Sequence, residues 1–142
     1  MGNASDCPSG NYCAPAGTVV NGMFSLQPTR IRIKDVSDGT SNTLLVGEKT
    51  GNKPKPGCAS GEGATYTCWS GQYGSVGHVN NGINYLCRGG YTTGLGFGSM
   101  HTGGCHFVMA DGAVRFISEN ISTVSVLLPL STKSAGEVIG DF

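Results

Sequence analysis

Short apolar runs alternate with long polar stretches punctuated by glycine, and no run has the regularity or length of a long helix. Arg30-Ile31-Arg32-Ile33-Lys34 alternates strictly, placing two isoleucines on one side and the basic residues on the other, which predicts a half-buried strand. Thr43-Leu44-Leu45-Val46-Gly47-Glu48 is almost continuously apolar and predicts a central strand. Asp38-Gly39-Thr40-Ser41-Asn42 reads as the turn before it. The clearest pattern is a pair of β-type runs, Cys105 to Ala110 and Ala113 to Ile117, joined at Asp111-Gly112. Asp-Gly between such runs predicts a type I′ hairpin, with positive φ at both central residues. Ser122 has the character of a helix N-cap for Thr123 to Thr132, where Pro129 prevents a long regular helix. Gly136-Glu137-Val138-Ile139 suggests a short final strand.

The remainder reads as loop. Residues 1–17 are polar with Pro8, Gly10, Pro15 and Gly17, and residues 49–63 carry Gly51, Pro54, Pro56, Gly57, Gly61 and Gly63. Thr65 to Trp69 resumes β character before a glycine- and asparagine-rich stretch over 71–98. The fold class expected is mainly β (α+β): a small antiparallel sheet with long glycine-rich loops and one short C-terminal helix. Residues 1–142 form one domain, divided into a loop (1–17), strands (18–48), a loop-rich insertion (49–98) and a hairpin with the helix (99–142). Long surface loops serve binding or assembly, which makes Trp69, Tyr73, Tyr85 and Tyr91 candidates for contact with a protein or a glycan.

Composition sharpens this picture. Of 142 residues, 24 are glycine and only 13% are charged, with nine basic residues balancing nine acidic ones. Zero net charge argues against a nucleic-acid partner, and no apolar run approaches the ~20 residues of a membrane span. Six cysteines without a C-x2-C pair read as disulfides made in an oxidising, extracytoplasmic compartment. Fifteen pairings are open in principle. The sequential one, Cys7–Cys13, Cys58–Cys68 and Cys87–Cys105, is the expectation. Met1-Gly2-Asn3-Ala4-Ser5 lacks the basic and apolar regions of an export signal, so an exported chain would have lost that segment or belong to a longer protein.

Two clusters carry candidate chemistry. Asp35, Asp38, Thr40 and Asn42 are oxygen-rich and suit calcium, yet their spacing is not that of an EF-hand and turn hydrogen bonds explain the same residues. No other cofactor is implied. Cys105, His101 and His106 lie near Asp111, but Cys105 and His106 are strand neighbours that face opposite ways, which weakens a zinc reading. His101 is expected to pin the glycine-rich turn over the hairpin by a hydrogen bond. Glu48, closing an apolar run, is expected to pair with Arg30 or Arg115. Ser99, His101 and a carboxylate lack the nucleophile elbow and oxyanion donors of a hydrolase, so no enzyme is expected.

Several of these segments resemble one family. Asn21-Gly22-Met23-Phe24 and Asp35 through Glu48 look like the central motif of DUF1559 proteins. His101 through Asp111-Gly112, with nine residues between the histidine and the aspartate, is similar to that family's prepilin-associated H-x9-DG segment. The ending, Gly136 to Phe142, is similar to the family's terminus. The resemblance implies a pilin-like protein of planctomycete-type bacteria, exported through a hydrophobic N-terminal helix and of largely undetermined function. It marks His101, Asp111, Gly112 and Glu48 as motif residues and makes this chain the C-terminal part, a pseudopilin-like globular domain without its N-terminal helix. The implied role is a non-enzymatic extracytoplasmic structural or assembly module, acting through protein partners or self-association. The alternative is a secreted ligand- or glycan-binding module using the 71–98 loops.

Overall fold

The computed structural model describes residues 21–24, 30–49, 77, 79, 82–84, 96–140 and 142. Three strands make an open antiparallel sheet in chain order: β1 (Leu44–Gly47), β2 (Gly104–Met109) and β3 (Val114–Ser118). The class expected from the sequence, a small antiparallel sheet with one short C-terminal helix, is the class observed. Residues 1–20, 50–76 and most of 77–95 lie outside the described set, and with them the expected N-terminal loop, the strand at 65–69 and the long binding loops.

The Asp-Gly hairpin forms with a different turn from the one expected. Met109 N–H donates to Ala113 O at 2.8 Å and Gly112 N–H donates to Met109 O at 2.9 Å, so three residues, not two, make the loop. Within that loop only Gly112 has positive φ, at 89°. A single left-handed residue after a three-residue turn gives a bulged hairpin. Asp111 holds the tip differently: its Oδ1 accepts the Ala113 N–H at 2.8 Å.

β1 is an edge of the described sheet and β2 is its centre, contrary to the reading of the 43–48 run. The register steps from Leu44↔Met109 to Val46↔Val108, with a bulge between Leu44 and Val46. The bulge breaks alternation, so Leu44 is buried while Val46 is 52% exposed. A continuous apolar run here reports a slipped pairing, not burial on both faces.

The Arg30–Lys34 strand is absent. The chain turns instead into a 3-10 turn, Ile33–Asp35, with the Asp35 carboxylate accepting the Arg32 N–H at 2.8 Å. A local side-chain bond of this kind competes with sheet pairing, and two isoleucines do not outweigh it; Ile33 is exposed. Ser122 does cap the C-terminal helix, its Oγ accepting the Ser125 N–H at 3.2 Å. The helix starts as a wide π-type turn, Thr123–Leu127, and ends in one α turn, Leu128–Leu130, with Pro129 in the first turn of that α segment. A missing N–H does little harm there.

The predicted final strand at Gly136 to Ile139 does not form, and Val138 is almost fully exposed. Asp38 explains why. Its carboxylate accepts the Ala135 N–H at 2.7 Å and the Gly136 N–H at 2.9 Å, and Gly136 has φ 75°. Successive amides folded round an anion form a nest that turns the chain away from extended pairing. The same tail is tied to Asn21, whose main-chain O accepts the Lys133 N–H at 2.7 Å and whose side chain accepts from Ser134 at 2.6 Å.

One buried cluster backs the sheet: Leu44, Cys105, Phe107, Met109 and Ile117 from the strands meet Leu127 and Leu130 of the helix, with Val79 and Ile83. Strand alternation leaves the other face outward. Across that outer face Val46, Val108 and Val114 stand in one row, followed by His106 beside Phe116.

Candidate functional site

Glu48 follows β1 directly and its main chain is held on both sides. Its N–H donates to His106 O at 3.1 Å, and its own O accepts the Gly98 N–H at 3.0 Å. The carboxylate is aimed from below as well, because the His106 N–H donates to Oε2 at 2.7 Å. His106 projects from β2 onto the outer face, its ring edge-on to Phe116 with centroids 5.0 Å apart.

His101 reaches the same carboxylate from the loop between Gly98 and β2. Ser99 shapes that loop: its Oγ donates to Gly104 O at 2.7 Å and accepts the His101 N–H at 3.0 Å, while Asn84 Oδ1 accepts the Ser99 N–H at 2.9 Å. Asn84 is itself in the left-handed region, φ 58°, and donates to Glu119 at 2.7 Å. The Ser99 hydroxyl, bonded to main-chain groups of His101 and Gly104, therefore closes the glycine-rich turn, and the His101 imidazole reaches Glu48 beyond it.

Three side chains converge as a result. His101 Nε2 lies 3.3 Å from Glu48 Oε1, and His106 Nδ1 lies 3.4 Å from Glu48 Oε2. The two imidazoles meet edge to face at 4.9 Å. The amide of His106 holds the Glu48 carboxyl below its usual value, with partial burial opposing and the His101 imidazole assisting. This carboxylate is therefore ionised at neutral pH. Glu48 was expected to meet Arg30 or Arg115; Arg115 instead lies over the Phe142 ring at 4.9 Å.

Cys105, next to His106, faces the core with no exposed surface and carries a free thiol. Its expected partner, Cys87, lies outside the described residues, and β2 alternation seats the Cys105 sulfur inside the apolar cluster. Burial, helped by the Glu48 charge, pushes this thiol up to about 12, so it stays protonated at neutral pH. Cys7, Cys13, Cys58, Cys68 and Cys87 lie outside the described residues, as do Trp69, Tyr73, Tyr85 and Tyr91. Lys49 follows the cluster; burial draws its amine below the ordinary lysine value.

Of the four candidate calcium ligands, the side chains of Asp35 and Asp38 are engaged by main-chain amides. Asp35 holds the Arg32 N–H, and Asp38 holds the nest at Ala135 and Gly136. Thr40 supplies its main-chain O to the Asp111 N–H at 3.1 Å, docking the hairpin tip. His101 and Asp111 stand at opposite ends of β2, a separation of about 20 Å, so the motif joins two structural closures and not one site. The Glu48–His106 neighbour relation depends on the β1–β2 register, which no local pattern in the chain reveals.

A three-stranded antiparallel sheet with a helix on one face and a two-histidine, one-carboxylate cluster at the end of β1 defines a small α+β domain. The chain belongs to the DUF1559 family, described as proteins of unknown function, whose model matches residues 4–123. No curated protein and no solved structure matches it.

Proposed function

We propose that this domain is a non-enzymatic structural or assembly module of the extracytoplasmic space, resembling a pseudopilin, that works by packing its outer sheet face against a second copy of the chain. The observation that carries the reading is the apolar outer face: Val46 is 52%, Val114 65% and Phe116 47% exposed, and register sets them side by side. Contiguous apolar surface of this kind marks a contact site. β-branched and aromatic residues on a flat sheet suit packing against a like surface, because the contact needs no complementary charge. The resemblance of His101 through Gly112 to a prepilin-associated segment fits the same reading. Among the described residues no helix is long and apolar enough to cross a membrane.

Sedimentation over a concentration series tests it. The unaltered chain is expected to self-associate, and Val114→Ser with Phe116→Ser to shift it to monomer while the circular dichroism spectrum is retained. A chain that stays monomeric throughout, or a double variant that associates as before, overturns the reading.

A further inference from the structure

We propose that Glu48, His101 and His106 bind one divalent transition cation of the zinc class at the open end of the β1–β2 pair. The donor set is the first argument. Two imidazole nitrogens and one carboxylate suit zinc, which accepts three protein ligands and an open fourth position, whereas calcium and magnesium require oxygen throughout.

Geometry is the second. The three ligand atoms lie within 4.8 Å of one another, and each imidazole faces its own oxygen of the Glu48 carboxylate, His101 at 3.3 Å and His106 at 3.4 Å. A tetrahedral centre with bonds of about 2.0–2.2 Å has edges of about 3.3–3.5 Å, so whichever carboxylate oxygen binds, one edge is already in place, and the others close by rotation of the imidazoles and the carboxylate. These separations are long for charge-assisted hydrogen bonds, which run about 2.7–2.9 Å. The same carboxylate accepts the His106 amide at 2.7 Å. The backbone thus positions Glu48, while both imidazoles face it at the spacing of co-ligands.

Preorganisation is the third. Glu48 is fixed by main-chain bonds to β2 and to Gly98, His106 by its strand and by the Phe116 ring, and His101 by the Ser99 loop. Ligands carried by three separate anchors hold a site open without the ion. Side-chain exposures of 54% for His101, 41% for His106 and 37% for Glu48 leave the fourth position to water. The site shares Phe116 with the packing surface, but metal binding is read at the histidine rings and association by sedimentation, so the failure of one leaves the other standing.

The chelator-treated chain of 142 residues is titrated with Zn2+ by calorimetry, and the histidine ring resonances are followed by NMR. The expected result is one equivalent bound, with shifts at His101 and His106 and none at His78. Glu48→Gln, His101→Ala and His106→Ala are each expected to weaken binding at least about tenfold. No saturable binding, binding that survives all three substitutions, or binding through thiols that leaves both rings unmoved overturns the proposal. Where a variant does not fold, the ring shifts of the unaltered chain decide.

Discussion

At Cys105 and Gly104 two adjacent residues carry the strictest demands of β2. A Cβ on Gly104 would collide with the main-chain O of Ile117 across the sheet, which only strand separation relieves. Gly104→Ala is expected to cost about 2–3 kcal/mol, read as a lower denaturation midpoint in urea. Cys105 has a raised pKa in the folded chain, so its contribution is complete below the usual thiol value of 9.0 and is lost as pH rises towards about 12. Stability is therefore expected to decline above about pH 9, and iodoacetamide to leave Cys105 unlabelled until denaturant is added. Glu48 acts in the opposite sense. Its lowered pKa gives a contribution present above the usual 4.5 and lost as pH falls through the folded value. That Cys105 and His106 face opposite ways was legible from alternation alone; which of them faces the core was not. The partner of Glu48 was not, because a charge at a strand end takes whatever the neighbouring strand presents.

Elements formed where local chemistry and pattern agreed. The Asp111-Gly112 hairpin and the Ser122 cap were both legible, since each rests on residues next to one another in sequence. Arg30–Lys34 and Gly136–Ile139 were not, because a single aspartate overrode each: Asp35 by bonding backwards to Arg32, Asp38 by gathering amides almost a hundred residues away. Asp38 accordingly ties the turn before β1 to the C-terminal tail. Asp38→Ala removes two amide bonds to a charged acceptor and is expected to cost about 2 kcal/mol. Hydrogen exchange offers the sharper readout, with the Ala135 and Gly136 amides losing protection while those of β2 and β3 keep theirs. Uniform loss of protection would mean that the tail is part of the global unit and not a clamp laid on it.

At the scale of the molecule the described residues make one sheet with a dry face and a wet face, and the two phenylalanines of its strands separate stability from surface. Phe107 is 1% exposed and meets Phe97 edge to face at 5.3 Å, an approach that the absence of a side chain at Gly47 permits. Phe116, on the neighbouring strand but the opposite face, is 47% exposed. Which residues were apolar was plain from the sequence; which face they took required the register, and that is where a functional surface becomes distinguishable from a core. Truncating Phe107 to alanine leaves a void between the sheet and the helix and is expected to cost about 3–5 kcal/mol. Phe116→Ala opens no void and is expected to cost less than about 1 kcal/mol, while loosening His106 and weakening self-association. Thermal melts of the two variants, run beside sedimentation of Phe116→Ala, check the pair together. Equal destabilisation by both would place Phe116 in the core, and the outer face would no longer be available as a surface for packing.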